Sequence, residues 1–220
     1  RYSGFEINWR KSLLFPMGEW STGIDLPFPV RVERHKFKYL GIWITKDLND
    51  FMDENLSPAL KRLETDVKHW RGLPLSILGR AAMFKMIAMP RLLYILQHSP
   101  QRVPDSWFMK VDAQIRSLIW AGKQPRISLS TLRRSKFEGG IALPDVKKYY
   151  EAAQLSVVND WAYAEQEDPA FRMDRWSMGK HSYLHVLYGG KLKIKERPVT
   201  QTTIQIWKRL LREMKWDKRL

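Results

Sequence analysis

KFKYLGIWITKDLNDFMDENLSPALKRLETDVKHW, residues 36–70, changes its hydrophobic period partway along. Up to Thr45 the period is two, as in a strand: Leu40, Ile42 and Ile44 point one way, Tyr39 and Trp43 the other. Gly41 leaves a bare patch of backbone between the two rings. From Asn49 the period becomes that of a helix, with Leu56, Leu60, Leu63, Val67 and Trp70 in one stripe and Lys61, Arg62, Glu64 and Lys68 off it. Ser57-Pro58 fits an N-cap followed by proline at the first helical position, and Gly72 with Pro74 fits the end. A short strand therefore feeds an amphipathic helix.

Working outward, the strand side is the minor part. Upstream, Ser3-Gly4, Pro16, Gly18, Gly23, Pro27 and Pro29 punctuate a turn-rich segment in which Val30 to Val32 reads as a second strand. Downstream the helical period dominates. Ser76 to about Met89 is apolar almost all round, with Arg80 and Lys85 at its edge, and Pro90 ends or kinks it before a short helix to Gln97. Asp105 to Trp120 is a further helix with Phe108, Val111, Ile115, Leu118 and Ile119 on one side and Asp105 as its N-cap. AGKQPRISLSTLRRSKFEGG, residues 121–140, reads as a mobile basic connector. Val146 to about Gln166 and Thr202 to Trp216 are helices, the last with Ile204, Trp207, Leu211 and Met214 at helical spacing. Residues 179–195 fit no single element. The expected fold class is mainly α with a small β part.

Composition narrows the chemistry. The 220 residues are 44% hydrophobic, enough for a core, and 38 Lys and Arg against 23 Asp and Glu give a formal charge of +15. Such an excess favours a polyanionic partner, because each cation that neutralises a phosphate releases counterions; the alternative is a solvated basic surface. With no Cys, thiolate metal sites, disulfides and thiol nucleophiles are excluded. No apolar run is long enough to span a membrane. Asp47, Asp50, Asp53 and Glu54 lack the spacing and glycine of a calcium loop, and read as charges at a helix N-terminus. His181 and His185 are one helical turn apart but lack the glutamate of a zinc-binding helix and a third ligand. Nucleophile-elbow, P-loop and dinucleotide fingerprints are absent from the sequence.

What remains is a pattern of cations interleaved with aromatics. Arg80, Lys85 and Arg91, with Lys123, Arg126, Arg133, Arg134 and Lys136, would track a phosphate backbone while Tyr39 or Trp43 touches a sugar or base.

Five blocks, in order, carry a resemblance: SGFEINWRKS (3–12), FKYLGIWITKDL (37–48), GRAAMFKMIAMPRLLY (79–94), IWAGKQPRIS (119–128) and GGIALPDVKKYY (139–150). Together they resemble the reverse transcriptases of LINE-type non-LTR retrotransposons, over residues 1 to about 155. The resemblance implies part of a right-hand polymerase: residues 1–48 the end of the palm, 49–136 a helical thumb, and 137–220 a post-thumb, wrist-like connection. FKYLGI is similar to the primer-grip hairpin, which makes Lys38, Tyr39, Leu40 and Gly41 its contacts; Lys11 matches a lysine near the incoming nucleotide, and Glu6 stands where Lys is more usual. By the same resemblance the catalytic carboxylates precede Arg1, so no catalytic or metal-ligating residue is expected here, and Mg²⁺ is implied only for the intact polymerase. The implied partners are an RNA template, a DNA primer or their hybrid, and the rest of the palm and fingers; the implied location is intracellular, in cytoplasm and nucleus. Half a palm sheet would leave a strand edge exposed. The alternative reading is a non-catalytic nucleic-acid-binding or structural remnant of a retroelement, and a third is a basic helical protein-interaction module.

Overall fold

Leu40 and Gly41 have φ of 47° and 89°, and this pair of left-handed residues turns the apolar stretch back on itself. In the computed structural model, which describes residues 4, 6–17, 26–163, 172, 187 and 198–214, β3 (Lys36–Tyr39) and β4 (Ile42–Thr45) form an antiparallel hairpin with Tyr39 opposite Ile42 and Lys38 opposite Trp43. A hairpin is what the likeness of FKYLGI to a primer grip implies; the alternation alone, which puts Leu40 on one face with Ile42, misses its turn. Two successive positive φ values match the right-handed twist of the flanking strands, and Gly41 accepts one at no steric cost. Leu40 sits at the tip, 73% exposed, instead of sharing a face with Ile42. Ahead of the hairpin, β1 (Leu13–Leu14) and β2 (Arg31–Val32) pair in parallel.

The chain divides into two compact units, Arg1–Pro58 and Ala59–Leu220. In the first, Phe15 packs on Phe37 and Trp9 stacks on Phe28. Lys36 and Lys38 hold their ammonium groups 5.1 and 5.7 Å from the centre of the Trp43 ring. The outer edge of β4 is closed by one side chain: the Asn55 amide accepts from the Trp43 N–H and donates to its carbonyl, both at 2.9 Å. The strand edge expected to lie open is therefore occupied at this position.

Asn55 belongs to a widened, π-helical turn, Met52–Leu56, that leads straight into α1 (Ser57–Trp70). Ser57 is already helical (φ −65°, ψ −45°) and its N–H bonds the Met52 carbonyl, so it is not the expected N-cap. Pro58 explains the widening: it has no N–H to give, and a wide turn moves the preceding carbonyls away from its ring. The same device recurs in the second unit. There α2 (Ile77–Met83), capped by Ser76, runs through a π-helical turn, Phe84–Ala88, into α3 (Met89–Gln97), with Pro90 just past the turn. Of the two outcomes expected at Pro90, an end or a kink, the helix does not end there.

The second unit packs α2 against α4 (Asp105–Ile119), and α6 (Val146–Tyr163) against α3, α4 and α7 (Pro198–Glu213). The expected stripes are buried: Leu60, Leu63, Val67 and Trp70 on α1, and Phe108, Val111, Ile115, Leu118 and Ile119 on α4, joined there by Trp107. Pro104, not Asp105, holds the cap position of α4; the Asp105 carboxylate faces Lys147 at 3.0 Å. Val158 and Trp161 pack with Leu187 and Ile204, and the Trp207 ring N–H donates to the Leu187 carbonyl at 3.1 Å. Met214 is 66% exposed, so the α7 stripe stops short of it. His181 and His185 lie outside the described residues, as do all of 179–195 except Leu187.

Residues 121–140 are not a mobile strip. They contain α5 (Leu129–Arg133), capped by the Ser128 hydroxyl, and a 3₁₀ turn, Lys136–Glu138, whose Ser135 and Glu138 form a reciprocal capping box. Gly139 (φ 78°) then reverses the chain so that the amides of Gly140, Ile141, Ala142 and Leu143 bond the carbonyls of Ser135, Leu132, Arg134 and Leu132. The glycine pair of the GGIALPD block is thus the means by which α5 is closed off.

Candidate functional site

A cleft of about 700 Å³ opens where the start of α2 meets the end of α4, lined by Ile77, Arg80, Ile119, Trp120, Lys123 and Arg126 among others. Three of the cations predicted from sequence are brought together here from two separate segments. Arg80 is fixed: its Nη1 donates to the Ile119 carbonyl at 3.3 Å, at the helix end where the carbonyl dipoles attract a cation. Its Nε and the Trp120 ring N–H are buried without a hydrogen-bond partner. Lys123 and Arg126 are exposed, and no described ion pair engages either.

The turn that presents them is built from the end of α4. Ala121 (φ 51°) and Gly122 (φ 76°) are both left-handed, and the Gly122 N–H bonds back to the Ser117 carbonyl at 2.8 Å. The chain therefore folds back over the helix end and carries Lys123 to Arg126 to the cleft. Arg71 braces this turn: its Nη1 donates to the Ser117 hydroxyl at 3.1 Å and would stand 3.0 Å from any Cβ placed on Gly122. Arg71 was not among the sequence-predicted residues; its place ahead of Gly72 marked only a helix end.

Arg133 does something different from what the basic run suggested. Nη2 lies 2.5 Å from Asp112 of α4 and Nη1 lies 3.2 Å from Asp145, which also accepts the Lys148 N–H at the start of α6. Its charge is matched by two carboxylates and joins three helices. Arg134, the next residue, is exposed and serves the fold through its backbone, whose N–H bonds the Thr131 carbonyl and whose carbonyl accepts from the Ala142 N–H. Lys85 Nζ sits 3.5 Å from the Ile141 carbonyl.

In the first unit, Lys38, Tyr39, Leu40 and Gly41 form the tip of the hairpin, with Tyr39 61% exposed. Trp43, by contrast, is half-buried beneath two lysines. Lys11 is exposed in a turn whose backbone N–H is held by Asn8.

A second basic groove, of about 270 Å³, is lined by Arg102, Gln205, Ile206, Lys208, Arg209 and Arg212. Arg209 is committed to Glu151 at 2.7 Å and Glu213 at 3.3 Å, and the hydrogen bond to Glu151 raises its pKa above the ordinary value. The arrival of Arg102 from another segment was not legible in the sequence.

Among the described residues no three His, Asp or Glu side chains converge as a metal would require. Nor is any described helix long and apolar enough to cross a membrane. No protein-family model matches the chain.

Proposed function

We propose that this chain is the palm-end, thumb and post-thumb part of a LINE-type RNA-directed DNA polymerase, and that its own work is to hold nucleic acid rather than to perform the chemistry. The observation that carries the reading is the convergence of Arg80, Lys123 and Arg126 on one open cleft without a neutralising carboxylate among the described ion pairs. A duplex of changing sequence is best held through its phosphates, and cations on helix ends do that without reading bases.

In this reading the hairpin tip lies against the primer terminus. Gly41 allows the backbone to approach a sugar-phosphate, and Tyr39 offers a ring. The catalytic carboxylates and the Mg²⁺ they bind belong to the remainder of the polymerase, and action on RNA in cytoplasm and nucleus follows from the same reading.

The test is binding of the 220-residue chain to a short RNA–DNA hybrid across a salt series. Affinity should fall steeply with salt, and Lys123→Ala with Arg126→Ala should flatten the log–log slope by up to about 2. No binding at low salt, or an unchanged slope in the double variant, would remove the cleft from consideration.

A further inference from the structure

Phe137 is fully exposed, yet it sits in a 3₁₀ turn closed by a reciprocal capping box. The Ser135 hydroxyl and N–H both bond the Glu138 carboxylate, at 2.8 and 3.1 Å. These bonds hold the Glu138 carboxyl below the ordinary range, so the box is charged and closed at neutral pH. On the far side, the Gly139 N–H returns to the Lys136 carbonyl and the Gly140 N–H to that of Ser135. Gly140 passes so close that a Cβ there would stand 2.1 Å from the Arg134 carbonyl oxygen. The polar groups of Ser135 and the amides of Glu138, Gly139 and Gly140 are bonded within the turn, while its one aromatic ring is exposed.

An apolar ring held this way has no folding role to explain it. Along the chain it lies next to Lys136 and three residues from Arg134, both exposed. A flat ring beside cations complements a partner that alternates flat faces with negative charges. Paired bases inside a duplex already use both faces for stacking; unpaired bases have a face to offer. A rigid turn also loses little conformational freedom when the ring is covered.

We propose that Phe137 is a stacking platform for an unpaired nucleobase, with Arg134 and Lys136 holding the phosphates on either side. The proposal rests on the nucleic-acid reading above and adds to it a second class of ligand, a single strand.

The test uses the full chain with two probes of equal length: a single-stranded oligonucleotide carrying 2-aminopurine, and a fully paired RNA–DNA hybrid. Phe137→Ala should weaken single-strand binding roughly tenfold and abolish the stacking-dependent change in 2-aminopurine emission, leaving hybrid affinity within about twofold. Phe137→Tyr should bind as the wild type does, and Phe137→Leu as Phe137→Ala does, because leucine keeps the apolar bulk without a π face. Since no charge is removed, the salt slope should not change. Wild-type single-strand affinity in Phe137→Ala would overturn the platform and leave the cleft standing, as would full activity of the Leu variant or equal losses on both probes. Absence of wild-type binding to either probe would overturn both proposals.

Discussion

Arg133 and Arg134 are neighbours of equal charge put to opposite uses. Arg133→Ala leaves Asp112 and Asp145 half-buried and unmatched, and should cost about 2 kcal/mol in chemical unfolding. Arg134→Ala should leave the unfolding curve in place and flatten the salt slope of single-strand binding by about 0.7. Gly140→Ala tests the closure of α5, since its methyl group would run into the Arg134 carbonyl; a loss of about 3 kcal/mol is expected. Asp105 is held below the ordinary carboxylate pKa chiefly by its hydrogen bond to Lys147. Its contribution to stability is therefore present above the unfolded value near 3.9 and is lost as pH falls through the lower folded value. In an NMR titration, Lys147→Ala should move the Asp105 midpoint up. Of this layer the sequence showed only that cations were plentiful, because an arginine's use is set by carboxylates from distant helices.

At the scale of elements, periodicity was a good guide and punctuation a poor one. The switch from period two to 3.6 after residue 48 reproduces the hairpin and α1, because alternating burial and a helical stripe each leave a regular trace. Periodicity missed the turn at Leu40-Gly41, since leucine carries no signal for a positive φ, and only the resemblance of FKYLGI to a primer-grip hairpin implied it. Pro58 marked the start of the regular helix α1 but not its cap, and Pro90 did not mark a helix end; at both a widened turn absorbs what a regular helix would not tolerate. The hairpin depends on such a turn, because it aims Asn55 at Trp43. Asn55→Leu should leave two strand-edge groups unpaired, destabilise the first unit by about 2 kcal/mol, and speed hydrogen exchange at the Trp43 amide. An unchanged exchange rate would mean that Trp43 is protected by something else.

For the chain as a whole, the charge of +15 foretold a polyanion more readily than it foretold where one would lie. The structure sorts the cations into those spent on carboxylates, such as Arg133 and Arg209, and those left facing outward, such as Lys123 and Arg126. The cleft itself was illegible, because Arg80 meets Lys123 and Arg126 only through the return of the chain at Gly122.

The two widened turns have a consequence for chain length. Each is equivalent to one residue inserted into an otherwise regular helix. If Pro58 or Pro90 is replaced by alanine and one residue is removed from Met52–Leu56 or Phe84–Ala88, the helix can close into regular register with its downstream faces unmoved. These two places are where a chain of this fold can gain or lose a single residue without rearranging its core, and length differences among relatives should gather there, each paired with the presence or absence of the proline.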